Sequence, residues 1–117
     1  MVLLRPMGVQ YLGMAIHELA TNSAKHGALS VEEGRLKVNW AIDPAKPDGY
    51  LLTLTWKETG GPSVQMTAAS GFGRQVLEKL APRALGGVGE LSFAADGVKW
   101  TLKTDGSSIA SYSLAPA

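Results

Sequence analysis

Between Met7 and Gly27 the residues Val9, Leu12, Ile16, Leu19, Ala20 and Ser23 recur at steps of three and four, as one face of an amphipathic helix does. Gly27 offers a C-terminal stop, with Lys25 and His26 in the last turn, favourably placed against the helix dipole. A strict alternation follows in RLKVNWAI, with Leu36, Val38, Trp40 and Ile42 on one face and Arg35, Lys37 and Asn39 on the other, so a half-buried strand is expected. The segment DPAKPDG is a turn by composition and leads into YLLTLTWKE, a second strand that should complete a hairpin. In it Tyr50, Leu52, Leu54 and Trp56 share a face against Leu51, Thr53, Thr55 and Lys57. Beyond a Gly-Pro loop, FGRQVLEKL predicts a second helix that ends near Pro82. Two more strands, ELSFA with Leu91 and Phe93 inward and VKWTLK with Val98, Trp100 and Leu102 inward, are joined by a tight turn at Asp96-Gly97. The tail SSIASYSLAPA has no clear period and is expected to fray.

The order is short strand, helix, hairpin, helix, hairpin. Polar outer faces on the strands force both helices onto one side of the sheet, which predicts an α+β two-layer sandwich. With 117 residues, 45% of them hydrophobic, the chain suits one compact domain, assigned to residues 1–105, with 106–117 as a possibly disordered tail. The apolar opening suggests a piece of something longer. A formal charge of +1 supplies no strong field, so neither nucleic acid nor an anionic membrane surface is indicated as a partner. The absence of cysteine excludes disulfides and thiolate metal sites and fits a reducing compartment, the cytoplasm by default. No apolar run approaches the roughly 20 residues that span a bilayer.

The first helix carries polar chemistry in HELATNSAKHGALS, from His17 to Ser30. Glu18 and Asn22 stack on one face, with Lys25 three residues beyond. Such a stripe is either a solvated helix face or a working one. In the second case Asn22 supplies a neutral oxygen to Mg²⁺, a hard cation that keeps several waters, Lys25 meets a phosphate and Glu18 polarises a nucleophile. Glu58 has the parity of Leu52, Leu54 and Trp56, so a strand that reaches it turns its carboxylate into the core layer. There it needs a donor: an arginine or backbone amide in a structural protein, the exocyclic amine of a purine in a binding protein. The other reading puts Glu58 past the strand end, in water. Gly60-Gly61-Pro62 and Gly71-Phe72-Gly73 follow, the second group opening a helix where backbone N–H groups can approach an anion. Neither the dinucleotide nor the P-loop glycine spacing is present. Together the parts are those of a nucleotide pocket.

These residues resemble the catalytic ATP-binding domain of sensor histidine kinases of the HWE class. That class is named for a histidine in the asparagine-bearing helix and a Trp-x-Glu in the first glycine box, matched by His17 and by Trp56 to Glu58. GFGRQVL resembles the second glycine box, and the likeness runs from about Leu3 to Leu102. The resemblance implies a Bergerat-type fold, with helices on one face of a mixed, mostly antiparallel sheet and an ATP pocket under a mobile lid. It also implies Mg-ATP as cofactor, with Asn22 as Mg²⁺ ligand, Glu18 the acid one turn before it, Lys25 and His26 phosphate or ribose contacts, and Glu58 the adenine-reading acid. Gly60, Gly71 and Gly73 become lid and phosphate-loop glycines around Phe72. The lid, about Gly61 to Ser70, carries no aromatic and is expected to be ordered by nucleotide. His17 could orient Glu18 or the acceptor histidine; a packed histidine bonded to backbone is the alternative.

The implied activity is transfer of the γ-phosphoryl group to a histidine on a phosphoacceptor segment, which this chain lacks in recognisable form, with a response regulator as the indirect partner. Neither His17 nor His26 reads as the acceptor, because both lie in the nucleotide-binding helix. The alternative is an interaction module with a dead pocket that docks a response regulator or a kinase. A zinc hydrolase is a third reading, since HELAT begins like HExxH; but position 21 is Thr, and His26 lies roughly half a turn out of phase.

Overall fold

Strand β3 (Leu51–Thr59) and strand β5 (Gly97–Asp105) run antiparallel at the centre of a four-stranded sheet of order β2-β3-β5-β4, with β2 (Arg35–Asp43) and β4 (Gly87–Ala94) at its edges. The computed structural model describes residues 2–4, 6–43, 51–63, 71–105 and 110–112. Register explains why the sheet has one apolar face. Leu52, Leu54 and Trp56 stand opposite Thr104, Leu102 and Trp100, and all six are buried. The alternate pairs Thr53–Lys103, Thr55–Thr101 and Lys57–Lys99 fall on the other face. One face therefore attracts cover and the other attracts water.

The cover is helical. Helix α1 (Pro6–His26) buries Ala15 and Leu19 in the same core as Leu77 and Ala81 from a second helical run and Leu85 just after it. That run comprises α2 (Gly71–Gln75), a π turn (Val76–Leu80) and α3 (Ala81–Ala84). The α+β two-layer sandwich is thus present, and every ladder among the described residues is antiparallel. Within the stretch expected to fray, β6 (Ala110–Tyr112) pairs with β1 (Val2–Leu4) as a separate two-stranded sheet. The expected DPAKPDG turn and most of the lid lie outside the described residues.

Two burial expectations need correction. The inner stripe of α1 runs through Gly8, Ala15, Leu19 and Ser23, and Val9, one residue or 100° round from Gly8, is 56% exposed. In β2, Val38 and Trp40 do face the side of Trp56 and Leu54 across the ladder. They are nonetheless 48% and 58% exposed. Alternation shows which face of an edge strand is apolar but not whether a helix reaches over it.

The second helical run ends at Ala84, near Pro82 as expected, and Pro82 itself lies within its last turn. The π turn explains this. Ala81 N–H bonds to Val76 O, an i to i−5 step, so the next rung would run from residue 82 to Leu77 O. Proline has no N–H to give. The indole Nε1 of Trp100, fully buried on β5, donates to Leu77 O instead at 2.8 Å. Sheet and helix layer are stitched where the helix has lost a donor. Trp100→Phe should therefore cost about 1–3 kcal/mol in urea unfolding, the range for orphaning a buried acceptor. In a Pro82→Ala background, which restores an N–H, the cost should be smaller.

Candidate functional site

β3 runs through Thr59, so Glu58 keeps the inward parity of Trp56 and is 4% exposed. The solvated alternative fails. The carboxylate is already met by protein donors, among them a backbone amide, the partner expected of it in a structural role, so a purine amine is not needed to satisfy it. Ser23 Oγ and the backbone N–H of Ala28 both donate to Oε1 at 2.9 Å, and Trp56 Nε1 donates to Oε2 at 2.9 Å. All three contacts point toward the acid, the pattern a carboxylate anion accepts. An ionised carboxylate offers about four acceptor positions, so three filled leave one on Oε2.

The backbone around it is shaped to let that happen. α1 ends at His26, but Gly27 has φ −115° and ψ −152°, an extended conformation, so it is no left-handed cap. It is glycine because a Cβ there would run into Glu58 Oε1. The 3₁₀ turn that follows (Ala28–Ser30) presents the Ala28 N–H to the acid, and Leu29 N–H donates to Ser23 Oγ at 3.1 Å. That second bond orients the serine, which accepts from Leu29 and so turns its proton to Glu58. Beyond the acid, Gly60 (φ +71°) lies against Glu33 O and Gly61 against Ala28, where side chains would not fit. Gly60 N–H bonds Asp96 Oδ2 at 3.0 Å and Gly61 N–H bonds Asp96 O at 2.8 Å, so the β4–β5 turn clasps this loop.

The helix stripe forms as expected in part. Asn22 Nδ2 donates to Glu18 Oε1 at 3.4 Å, and both residues are half-buried. With its amide nitrogen turned to Glu18, Asn22 has its carbonyl oxygen left for a cation. Lys25 and His26 are exposed in the last turn. His17 is exposed too, so it is not the packed, backbone-bonded histidine of the alternative reading. Gly71, Phe72 and Gly73 lie within α2, as the opening of the second helical run. Sequence reasoning missed Ser23, read only as a packing position, along with the indole of Trp56 as a donor and Asp96. A polar residue on the buried stripe next to Asn22, and the i, i+2 spacing of Trp56 and Glu58, were the available signals.

The site is therefore an asparagine-bearing helix tied to a strand-end acid inside a two-layer sandwich, a description that many families could share. Comparison with known proteins narrows it. No family model matches the chain. It is 40% identical over 99 residues to blue-light-activated histidine kinase 1 of Erythrobacter litoralis, covering 82% of this chain and 26% of that protein. Blue-light-activated histidine kinases of Rhizobium johnstonii and Brucella ovis are each 38% identical, over 68% and 74% of this chain and 22% and 18% of theirs. The histidine kinase domain of the Erythrobacter litoralis EL346 blue-light activated kinase superposes with a TM-score of 0.68 at 14% identity, over 86% of this chain and 46% of that one. Over most of its length the chain is thus homologous to part of these histidine kinases, the family to which the His17 and Trp56–Glu58 signatures pointed. It spans about a quarter or less of the length of these relatives.

Gly27→Ala should destabilise the chain by about 1–3 kcal/mol in urea unfolding, because the added methyl displaces the acid from its donors. In a Glu58→Ala background, where the oxygen is gone, the same substitution should cost much less.

Proposed function

We propose that this chain binds Mg-ATP and acts as the catalytic domain of a histidine kinase, delivering the γ-phosphoryl group to a histidine on a phosphoacceptor segment. The observation that carries the proposal is the tie between Glu58 and Ser23, the residue after Asn22. It sets Glu58, on β3, against the helix residue next to Asn22, so that the acid proposed to read the base and the amide proposed to meet the cation belong to one docked unit. In this reading the open acceptor position on Glu58 Oε2 takes the exocyclic N–H of adenine. Asn22 Oδ1 serves as the protein oxygen on Mg²⁺, which fits an ion content with few protein ligands and several waters. When bound, the ion neutralises phosphate charge. Lys25 and His26, exposed on the last turn, contact phosphate or ribose, and the glycines at 60, 71 and 73, with Phe72, border the phosphates.

Phosphoryl transfer breaks the bond from the γ-phosphorus to the bridging oxygen and forms one to the attacking imidazole nitrogen, leaving ADP. Glu18, held by Asn22, orients that imidazole and draws off its proton as general base; His17 sits beside it on the exposed face. The response regulator enters only after the histidine is phosphorylated.

Isothermal titration of the chain with Mg-ATP should show saturable binding. Asn22→Ala should weaken it on the order of tenfold in Mg²⁺, with little change when EDTA replaces the metal. No heat and no thermal shift at millimolar nucleotide would sink the reading and favour an interaction module.

A further inference from the structure

We infer that Ser23 is a specificity-determining positioning residue: by filling, together with the Ala28 N–H, both acceptor positions of Glu58 Oε1, it leaves a base only Oε2 and restricts the site to a base edge that offers a single N–H donor. The inference rests on the nucleotide reading above and adds the physical basis of base choice.

The argument is a count of lone pairs. A carboxylate free on both oxygens can accept two parallel N–H bonds, one on each oxygen, which is what the N1–H and N2–H edge of guanine presents. Here Oε1 already accepts from Ser23 Oγ and Ala28 N, each at 2.9 Å, and Oε2 from Trp56 Nε1 at 2.9 Å. One position remains, and it lies on Oε2. An adenine-type edge, with one exocyclic N–H to give, fills it; a two-donor edge leaves one donor without a carboxylate acceptor, a mismatch that polar pockets reject strongly.

Ser23 and Trp56 hold this arrangement rigidly. Ser23 is 1% exposed, and its hydroxyl is locked in direction by Leu29 N–H at 3.1 Å. Trp56 is 3% exposed, pairs across the ladder with the fully buried Trp100, and an indole nitrogen can only donate. The carboxylate cannot swing to offer both oxygens without breaking at least one of these bonds.

The test is the ratio of ATP to GTP affinity, measured by titration on the same preparation of each variant, so that any unfolded fraction affects both nucleotides alike. Ser23→Ala frees a position on Oε1 and should lower the ATP preference by on the order of tenfold or more. Trp56→Phe, which keeps the ring and removes the donor, frees only a second position on Oε2 while Oε1 stays filled, so it should leave the ratio near that of the wild type. Ser23→Thr retains the hydroxyl and should keep the wild-type ratio. If Ser23→Ala weakens both nucleotides equally, Ser23 only supports the fold and the inference is wrong. It is equally wrong if the Ser23→Ala ratio does not move. A wild-type chain that binds neither nucleotide would instead overturn the nucleotide reading itself.

Discussion

A carboxylate inside a protein is tolerated only where donors surround it, because water no longer solvates its charge. Glu58 meets that condition with no cation: its partners are a hydroxyl, a backbone N–H and an indole. They come from α1, from the turn after it and from β3 itself. Two of the three, the Ser23 hydroxyl and the Ala28 N–H, are in place only once helix and sheet have docked. The acid therefore makes the seating of α1 on the sheet specific, since a helix shifted by a turn would leave Glu58 and Ser23 both buried and unmatched. The glycines at 27, 60, 61 and 97 follow from this constraint. Each sits where a Cβ would strike the acid or the backbone packed around it.

The helix α1 turns that interior constraint into a surface arrangement. Successive residues rotate by 100°, so one turn carries the chain from Ser23 in the core to Lys25 and His26 in solvent, with Glu18 and Asn22 half-buried between. The same rigid element thus presents an inward hydroxyl, a flanking amide and outward cations. Their spacing is fixed by helix geometry alone, and their position relative to β3 by the Glu58 contacts.

On the other side of the core a second buried polar contact does a similar job. Trp100 supplies Leu77 O with the donor that Pro82 lacks, so the last turn of the helical run is tied to the sheet. Both layers are registered by an indole and an acceptor placed where packing alone would leave freedom to slide. The EL346 kinase domain keeps the same architecture at 14% identity. Apolar pattern can specify this layering in many sequences.

The order of the main elements, the sheet's inward face and the parity of Glu58 were legible in the sequence because they depend on periodicity, a local property of the chain: Leu52, Leu54, Trp56 and Glu58 share parity whatever else surrounds them, although how far β3 ran, and hence the depth of Glu58, and the β1–β6 pairing were not. The site's composition was legible as far as neighbours on one helix go, as with Glu18 and Asn22. What tertiary structure alone decided were the partners. That Ser23 and not an arginine meets Glu58, that Trp40 stays bare while Trp56 is covered, and that Pro82 is bridged by Trp100 all depend on how elements distant in sequence are set against one another. Periodicity states which way a side chain points; only the packed layers determine what it finds there.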